Sequence, residues 1–309
     1  MKQQVVFFGS GPVAAESLRL LADDFEIEAV VTKPRPAHHK GSVPVLELAE
    51  ELSLPLFTVD SKSSLDKLIE KKPFTSRVAI LIDFGIIISQ KTIDYFPLGI
   101  INSHFSLLPQ WRGADPITFA ILSGQKQTGV SLMLLVEAMD EGPILTQETY
   151  DIAPNETTPS LTSSLIRLSH ALLTDAVPRY VQGEIKLHTQ KEVAQLMGLP
   201  TEPTYSRKLT KQDGTINWSK PAAEIEREVR AFAEWPKSRT KLGDIDVAIT
   251  SATVSDLQIE TPGKIVLQDG QLYVGCSKDS LQINTLKPSG KKEMPVKAFL
   301  AGYRNRLEA

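Results

Sequence analysis

The hydrophobic residues of the first 190 positions alternate between short continuous runs and a helical period. The runs at 5–8, 27–31 and 78–82 predict buried strands, because they are short and apolar throughout. After the first run, apolar positions recur at helical spacing, and Pro12 fits the first turn of that helix. Strands that alternate with helices over this length indicate βαβ units around a mostly parallel sheet, which is an α/β fold.

The rest of this part continues the alternation and ends in an irregular stretch. The other predicted strands are 54–57, 99–101, 130–136 and 144–152, and the other predicted helices are 45–52, 64–70, 91–95, 114–123 and 159–182. Residues 183–206 are polar and irregular, as expected for a connection. We therefore predict one domain over residues 1–189 and a linker over 190–206.

The pattern changes from Arg207, where short β segments with turn signals replace the alternation. Asp213-Gly214 and Asp269-Gly270 are hairpin candidates, because Asp-Gly favours tight turns between strands. One helix interrupts these segments: Pro221 opens it, and its apolar residues share one face. A small β-barrel of the oligonucleotide-binding (OB) type fits residues 207–309, and a β-sandwich fits nearly as well.

The composition is that of an ordinary folded protein, with 309 residues of which 41% are hydrophobic and 23% charged. The single cysteine, Cys276, excludes an internal disulfide framework and a zinc site built on several thiolates. No window approaches 18 uninterrupted apolar residues, and the N-terminus lacks the apolar run of a signal peptide. We therefore expect no membrane span and a cytoplasmic location.

The net charge of −3 does not indicate a nucleic-acid-binding protein, but the charge is unevenly distributed. From Arg207 onward there are 17 Lys and Arg against 13 Asp and Glu, a charge of +4. The preceding residues hold 17 against 24, a charge of −7. This asymmetry indicates that the C-terminal part meets an anionic partner, although a solvated surface can carry the same imbalance.

The first strand ends in Gly9-Ser10-Gly11-Pro12-Val13-Ala14, which matches the G-x-G-x-x-A pattern of dinucleotide-binding turns. Glycines at these places let a pyrophosphate approach the N-terminus of the following helix. The pattern also needs an acidic residue at the end of the second strand, where this chain has Thr32-Lys33-Pro34. A nicotinamide cofactor and a tight strand-to-helix turn are the two explanations, and the missing acid favours the turn.

A basic loop with two prolines follows the second strand and contains Lys33, Arg35 and Lys40. Its His38-His39 pair could ligate a metal, but no carboxylate or third ligand lies at a recognisable spacing. We therefore expect no metal. A loop that contacts phosphates and a solvated, mobile loop remain as two interpretations.

The densest group of polar residues comes directly after the predicted strand at 99–101. Asn102 and His104 emerge at its carboxyl end, where open α/β sheets bind ligands, and alternation along the chain points both side chains to one side. An amide donor beside an imidazole suits acyl transfer, which needs a hydrogen bond to a developing oxyanion and a proton carrier. Asp140, on a loop after another strand, could tune the imidazole. For an isolated Asn-x-His, a buried and hydrogen-bonded histidine is the simpler alternative.

Several further motifs accompany this pair. They are Asn102-Ser103-His104, Ser106-Leu107-Leu108-Pro109, Arg112-Gly113 and Met139-Asp140-Glu141-Gly142-Pro143. In this order and spacing they resemble the folate-dependent formyltransferases. The C-terminal third is similar to the members of that family that act on methionyl-tRNA, in Asp213-Gly214-x-Ile216-x-Trp218, Arg230-Ala231-Phe232, Trp235-Pro236 and Leu286-Lys287-Pro288-Ser289-Gly290-Lys291-Lys292. The resemblance covers essentially the whole chain.

The resemblance implies a Rossmann-like catalytic domain followed by a C-terminal OB-like barrel that binds tRNA. It also implies transfer of a formyl group from 10-formyltetrahydrofolate to the α-amino group of methionine on initiator tRNA, without a metal. Catalysis then falls to Asn102, His104 and Asp140. Asn102 donates a hydrogen bond to the oxyanion, and His104, held by Asp140, carries a proton toward N10 of the folate. We expect the chain to act as a monomer.

The resemblance further implies ligand contacts. Folate would lie against Ser106, Leu107, Leu108 and Pro109, and against the turn of Phe84, Gly85, Ile86 and Ile87. Initiator tRNA would meet the basic loop through Lys33, Arg35 and Lys40, and the C-terminal part through Lys291 and Lys292. The chain departs from the family pattern at Asp115, where a small apolar residue is common, and at Phe84, where relatives carry tyrosine.

Three other functions share parts of this pattern. Sugar-nucleotide formyltransferases carry the same catalytic trio, but the stretch at 230–236 and the Gly290-Lys291-Lys292 ending favour a tRNA substrate. A formyltetrahydrofolate hydrolase does not need this C-terminal extension. A non-catalytic folate- or RNA-binding protein would not need Asn102, His104 and Asp140 together.

Overall fold

The chain packs into two compact units in this computed structural model, which describes residues 2–37 and 41–307. The first unit contains the residues up to Pro116 together with Gln127–Asp151 and Thr162–Ser206. The second contains Ile117–Lys126, Ile152–Leu161 and the chain from Arg207 onward. All three residues expected to be catalytic therefore belong to the first unit.

A seven-stranded sheet forms the centre of the first unit, in the order β3-β2-β1-β4-β5-β7-β8 when its strands are numbered along the chain. They are β1 (Gln4–Phe8), β2 (Glu26–Thr32), β3 (Leu56–Thr58), β4 (Ala79–Leu81), β5 (Ile100–His104), β7 (Gln127–Leu134) and β8 (Ile144–Asp151). The pairs among β1 to β5 are parallel, and β7 and β8 add antiparallel pairs at one edge. The predicted mostly parallel sheet is confirmed.

Helices connect these strands and begin at the residues that the sequence marks as helix starts. They are α1 (Pro12–Asp24), α2 (Pro44–Glu51), α3 (Lys62–Glu70), α4 (Gln90–Tyr95), α5 (Pro116–Ser123), α6 (Thr158–Val181) and α7 (Gln190–Leu196). Pro12 and Pro44 lie in a first turn, where a missing N–H costs no hydrogen bond. Ser61 and Thr189 cap α3 and α7 by accepting from an amide three residues on. Within the described ranges, no helix is long and apolar enough to cross a membrane.

Aromatic packing fixes the turn after β4 against the end of β1. Phe8 meets Phe84 and Phe96 edge to face, with ring centroids 5.5 and 6.0 Å apart. All three rings are buried, and burial of one such side chain contributes roughly 1.5–3 kcal/mol. The turn that contains Phe84 is therefore held at the carboxyl end of the neighbouring strand.

The carboxyl ends of β1, β2, β4 and β5 lie at one edge of the sheet because these strands run parallel. The turns that follow them hold residues 9–11, 33, 83–85 and 102–104. Ligands of open α/β sheets bind at such an edge. Most of the residues singled out in the sequence of the first unit thus follow adjacent strands.

An antiparallel sheet forms the centre of the second unit, in the order β10-β11-β14-β13-β12 with β15 paired to β14. Its elements are β10 (Ser238–Leu242), β11 (Ile245–Ser255), β12 (Ile265–Gln268), β13 (Gln271–Gly275), β14 (Ser280–Pro288), β15 (Met294–Pro295), α8 (Ala222–Ala231) and α9 (Val296–Tyr303). Ile225 and Val229 of α8 share a core with Leu281 and Ile283. The predicted small β domain is confirmed. So is the hairpin at Asp269-Gly270, which joins β12 and β13 with φ of 51° and 72°.

Two local predictions are wrong. The stretch 183–206 is not irregular throughout: it contains α7 and β9 (Tyr205–Ser206), which pairs in parallel with β6 (Arg112–Gly113). Asp213-Gly214 ends a 3-10 turn rather than forming a hairpin, because the Asp213 carboxylate accepts hydrogen bonds from Thr210 N–H and from Arg207. The other predicted elements are present, with ends shifted by three residues or fewer.

Candidate active site

Asn102, His104 and Asp140 meet at the carboxyl end of β5. Asn102 and His104 lie two residues apart on the strand and are 7% and 6% exposed, and Asp140 reaches them from the loop between β7 and β8. The Asn102 amide nitrogen Nδ2 is 3.5 Å from Asp140 Oδ1, and His104 Nδ1 is 3.8 Å from the same oxygen. The structure therefore brings together the three side chains that the sequence indicated.

One ring nitrogen of His104 is engaged by the main chain. Its Nε2 lies 2.9 Å from the carbonyl oxygen of Trp111, and because a carbonyl can only accept, Nε2 carries a hydrogen. In the neutral ring, Nδ1 is then the unprotonated nitrogen, and it faces Asp140. Nδ1 is therefore the atom that can take a proton, and the imidazolium so formed would stand beside a carboxylate.

The Asp140 carboxylate is held from its other side by the backbone. Gly113 N–H donates to Oδ2 at 2.7 Å, which leaves Oδ1 toward Asn102 and His104. Asp140 has a φ of 54°, in the left-handed region that non-glycine residues rarely adopt. Such a conformation persists only where surrounding contacts enforce it, and it concentrates at functional sites. The donors facing Oδ1 stand farther away than the usual hydrogen-bond length of about 2.9 Å, so both can turn to a reacting oxygen.

Two side chains with no role in the sequence-based prediction hold the loops around this trio. Gln190, at the start of α7, is 5% exposed and donates to the carbonyl oxygens of Asp140 and Gly142, at 2.7 and 3.1 Å. Arg112 donates to Gln190 Oε1 at 2.8 and 3.2 Å, and to Glu141 Oε1 at 2.8 Å. Gln190 lies in a polar stretch without hydrophobic periodicity, so no sequence signal pointed to it.

The stretch 106–109, predicted to contact folate, is held by the two antiparallel strands. Ser131 of β7 donates to Ser106 O at 2.5 Å and accepts from Leu108 N–H at 3.0 Å, and Gln147 of β8 donates to Leu108 O at 3.0 Å. All four residues of the stretch are buried, with Leu107 and Leu108 in the core. A ligand at this place would meet main-chain atoms rather than the leucine side chains.

The second predicted folate contact, the turn of residues 84–87, follows β4 at the same sheet edge. Phe84 is buried beneath it, whereas Ile87 is 72% exposed. Gly85 has a φ of 65°, and a Cβ there would lie 2.7 Å from Lys33 Nζ, so this position requires glycine. Lys33, expected to contact tRNA, therefore has its ammonium group against this turn.

The glycine-rich turn after β1 is filled by the protein's own Asp83. Ser10 N–H and Gly11 N–H donate to the carbonyl oxygen of Asp83 at 3.1 and 3.4 Å, and a Cβ on Gly11 would lie 1.8 Å from Asp83 Oδ2. The amides and the helix N-terminus that would hold a pyrophosphate thus face a carboxylate. The interpretation as a tight turn is confirmed, and the nicotinamide alternative is wrong.

Asp83 occupies a concave place at this edge. Its side chain reaches solvent, yet the protein around it limits hydration and raises the pKa of the carboxyl to about 6. Lys33 opposes this rise in pKa, and Asp115 adds to it. A carboxyl group that titrates near neutrality therefore lies one strand away from Asn102 and His104.

The remaining predicted contacts of the basic loop are only partly described. Arg35 pairs with Glu47 at 2.9 Å and donates to the carbonyl oxygen of Gly41, so its guanidinium already has partners within the chain. Lys40, with His38 and His39, lies outside the described residues. In the part of the chain that is described, no group of three or more His, Cys, Asp or Glu side chains is placed to hold a metal ion.

A groove of about 680 Å³ in the second unit is lined by four basic side chains. They are Lys237, Arg239, Lys241 and Lys287. Asp246 also lines the groove and lies 3.9 Å from Lys241. The predicted tRNA contacts Lys291 and Lys292 are exposed and follow Gly290, another lining residue. An excess of positive charge in a groove suits a phosphate backbone.

Two family models match the chain. Residues 5–177 match the formyl transferase family, and residues 208–304 match the formyl transferase C-terminal domain. The first match alone spans more than half of the 309 residues.

Curated relatives correspond to the chain over nearly its full length. A methionyl-tRNA formyltransferase of Pseudoalteromonas translucida is 35% identical over 308 residues, which covers 97% of this chain and 94% of the relative. A methionyl-tRNA formyltransferase of Chloroflexus aggregans is 34% identical over 307 residues, which covers 97% of each.

Solved structures share the fold. An N-formyltransferase from Helicobacter canadensis, in complex with folinic acid and dTDP-3-aminofucose, is 17% identical with a TM-score of 0.67, covering 92% of this chain and 99% of that one. HypX from Aquifex aeolicus, in complex with tetrahydrofolic acid, is 14% identical with a TM-score of 0.65, covering 98% of this chain and 48% of that one. At these identities the likeness concerns the fold alone.

Proposed function

The chain belongs to the methionyl-tRNA formyltransferases of the formyl transferase family, and from this premise we propose how its site works. It transfers the formyl group of 10-formyltetrahydrofolate to the α-amino group of methionyl initiator tRNA. The product, formylmethionyl-tRNA, serves translation initiation. The observation that carries this proposal is the convergence of Asn102 Nδ2 and His104 Nδ1 on Asp140 Oδ1, within 3.8 Å.

Each residue of the trio has one task in the proposed reaction. The neutral amine attacks the formyl carbon, a C–N bond forms, and Asn102 Nδ2 donates to the oxygen that becomes negative. His104 Nδ1 takes the proton that the amine releases, and Asp140 stabilises the imidazolium. The oxyanion then collapses, the bond from the formyl carbon to N10 breaks, and the proton passes to N10. Tetrahydrofolate and the formylated amine are the products.

The folate would bind at the carboxyl edge of the first sheet, along the stretch 106–109 and the turn 84–87. Support comes from the buried packing of both segments, which fixes their main chains beside β5. Gly85 leaves its backbone open to close approach, and the exposed Ile87 offers an apolar surface for an aromatic ring. Lys33, whose ammonium lies against this turn, is better placed to meet the folate than the tRNA.

The tRNA contacts belong to the same proposal. The groove lined by Lys237, Arg239, Lys241 and Lys287 would hold phosphates of the tRNA, with Lys291 and Lys292 beside it. Arg35 and Lys40 remain proposed contacts from the basic loop. We further propose that the enzyme acts on initiator rather than elongator tRNA, as a monomer, in the cytoplasm.

A formylation assay with several acceptors tests the proposal. The purified protein is incubated with 10-formyltetrahydrofolate and methionyl initiator tRNA, and formylmethionine is sought after deacylation. Amino-sugar nucleotides run in parallel as alternative acceptors. We expect formylmethionine and no formylated sugar.

Two outcomes would contradict the proposal. A formylated sugar with unmodified tRNA would keep the chemistry and overturn the assignment of the acceptor. Folate binding without formylation of either acceptor would contradict the enzymatic function itself.

A further inference from the structure

The stretch between α6 and the second unit is bonded to both loops that carry the catalytic trio. His188 exchanges two main-chain hydrogen bonds with Ile144, at 2.8 and 3.1 Å, just after the Asp140 loop. Thr204 accepts from Arg112 N–H through its carbonyl and from Trp111 N–H through its hydroxyl, both at 2.9 Å. These bonds, with the β6–β9 pairing, make the stretch a wall of the site rather than a linker.

Gln190 is the side chain at which the two loops join. Its Nε2 donates to the carbonyl oxygens of Asp140 and Gly142, and its Oε1 accepts from Arg112. The residues beside Arg112 complete the link, because Trp111 O holds His104 Nε2 and Gly113 N–H holds Asp140 Oδ2. One buried amide therefore connects the loop that orients the histidine with the loop that presents the carboxylate.

We propose that Gln190 is a positioning residue for formyl transfer, one that acts through Asp140. The inference rests on the proposed function. Asp140 adopts a left-handed backbone conformation, which costs free energy unless its surroundings enforce it. Gln190 supplies that enforcement by binding the carbonyl oxygen of Asp140 itself. Without the amide, the loop can relax, and the carboxylate moves away from His104 Nδ1.

Gln190→Met tests the proposal, because methionine nearly matches glutamine in length and removes both hydrogen-bonding groups. We expect kcat to fall roughly 10- to 100-fold, the loss that displacement of a catalytic group by about 1 Å can cause. The KM for 10-formyltetrahydrofolate should stay close to the wild-type value, since Gln190 does not touch the predicted folate segments. Gln195→Met is the matched control, because Gln195 lies on the same helix and is exposed.

A double-mutant cycle shows whether Gln190 acts through Asp140. In single-turnover experiments, Gln190→Met should reduce the rate in the wild-type background and have little further effect when combined with Asp140→Ala. A general loss of structure would reduce the rate in both backgrounds. Additive losses, or wild-type kcat in Gln190→Met, would overturn the proposal.

Amide hydrogen exchange provides a readout that does not depend on the reaction. The Gly113 amide donates to Asp140 Oδ2 at 2.7 Å, so its protection reports whether the carboxylate is in place. We expect faster exchange at Gly113 in Gln190→Met than in the wild type or in Gln195→Met. Unchanged exchange would overturn the positioning role. A wild-type protein that formylates no acceptor would instead contradict the proposed function and leave this comparison valid.

Discussion

Replacing Asn102 by alanine separates a catalytic role of this amide from a structural one. In the resting site its Nδ2 stands 3.5 Å from Asp140 Oδ1, too far for a strong hydrogen bond. Loss of so long a contact should lower the free energy of unfolding by about 1 kcal/mol or less. In the transition state the same donor would lie on the oxyanion, where removal of one donor costs about 3–4 kcal/mol, or roughly 100- to 1000-fold in kcat.

The neighbouring serine is the control for this substitution. Ser103 points to the opposite face of β5 and is buried with its hydroxyl 2.7 Å from that of Ser169. Ser103→Ala should therefore lower the free energy of unfolding by about 1 kcal/mol, because it leaves a buried hydroxyl without its partner. Its kcat should remain close to the wild-type value.

The assay is single-turnover formylation of methionyl-tRNA at saturating folate, with urea unfolding of each variant alongside. We expect the two variants to show opposite effects: Asn102→Ala loses rate and keeps stability, whereas Ser103→Ala loses stability and keeps rate. Near-normal turnover in Asn102→Ala, or an equal loss of rate in both variants, would refute the assignment of the amide to the oxyanion.

Three further predictions concern pH, salt and the helix that carries Gln190. Because folding raises the pKa of Asp83 from 3.8 to about 6, the native state binds the extra proton between these values and loses stability as pH rises through them. Asp83→Asn should therefore gain on the order of 1 kcal/mol above pH 6, after allowance for solvent screening, and nothing near pH 4; a urea titration at both pH values checks this. Lys241→Ala with Lys287→Ala should weaken tRNA binding and reduce the slope of log K against log salt by about one per lost phosphate contact, unlike exposed Lys278→Ala; an unchanged slope would remove the groove from the tRNA contacts. Thr189→Ala should cost about 1 kcal/mol in the free energy of unfolding, because Thr189 caps α7 with a hydrogen bond to Glu192 N–H.

The sequence allowed prediction of the parts whose signal is local. Buried parallel strands have continuous apolar runs, so β1, β2 and β4 could be placed from composition alone. The spacing of Asn102 and His104 at a strand end predicted that both side chains share one side, and both distances to Asp140 agree.

The parts that could not be predicted depend on contacts between distant segments. Gln190 acquires its role only because α7 lies against the 111–113 and 140–142 loops, and its polar surroundings give no periodicity to reveal this. Asp213-Gly214 has a hairpin signal, but the side chains of Arg207 and Thr210 turn it into a capped 3-10 turn. The basic groove gathers residues from three strands and a turn, whose register the sequence does not disclose.

The most direct test of the account follows a labelled formyl group from 10-formyltetrahydrofolate to methionyl initiator tRNA, with wild-type protein and His104→Ala side by side. We predict rapid appearance of the label in formylmethionine with the wild type. With His104→Ala the transfer should be nearly abolished while folate binding is retained, because Nδ1 is the atom that moves the proton. Label that never reaches methionine with the wild type, or that reaches it at an undiminished rate in His104→Ala, would contradict the account.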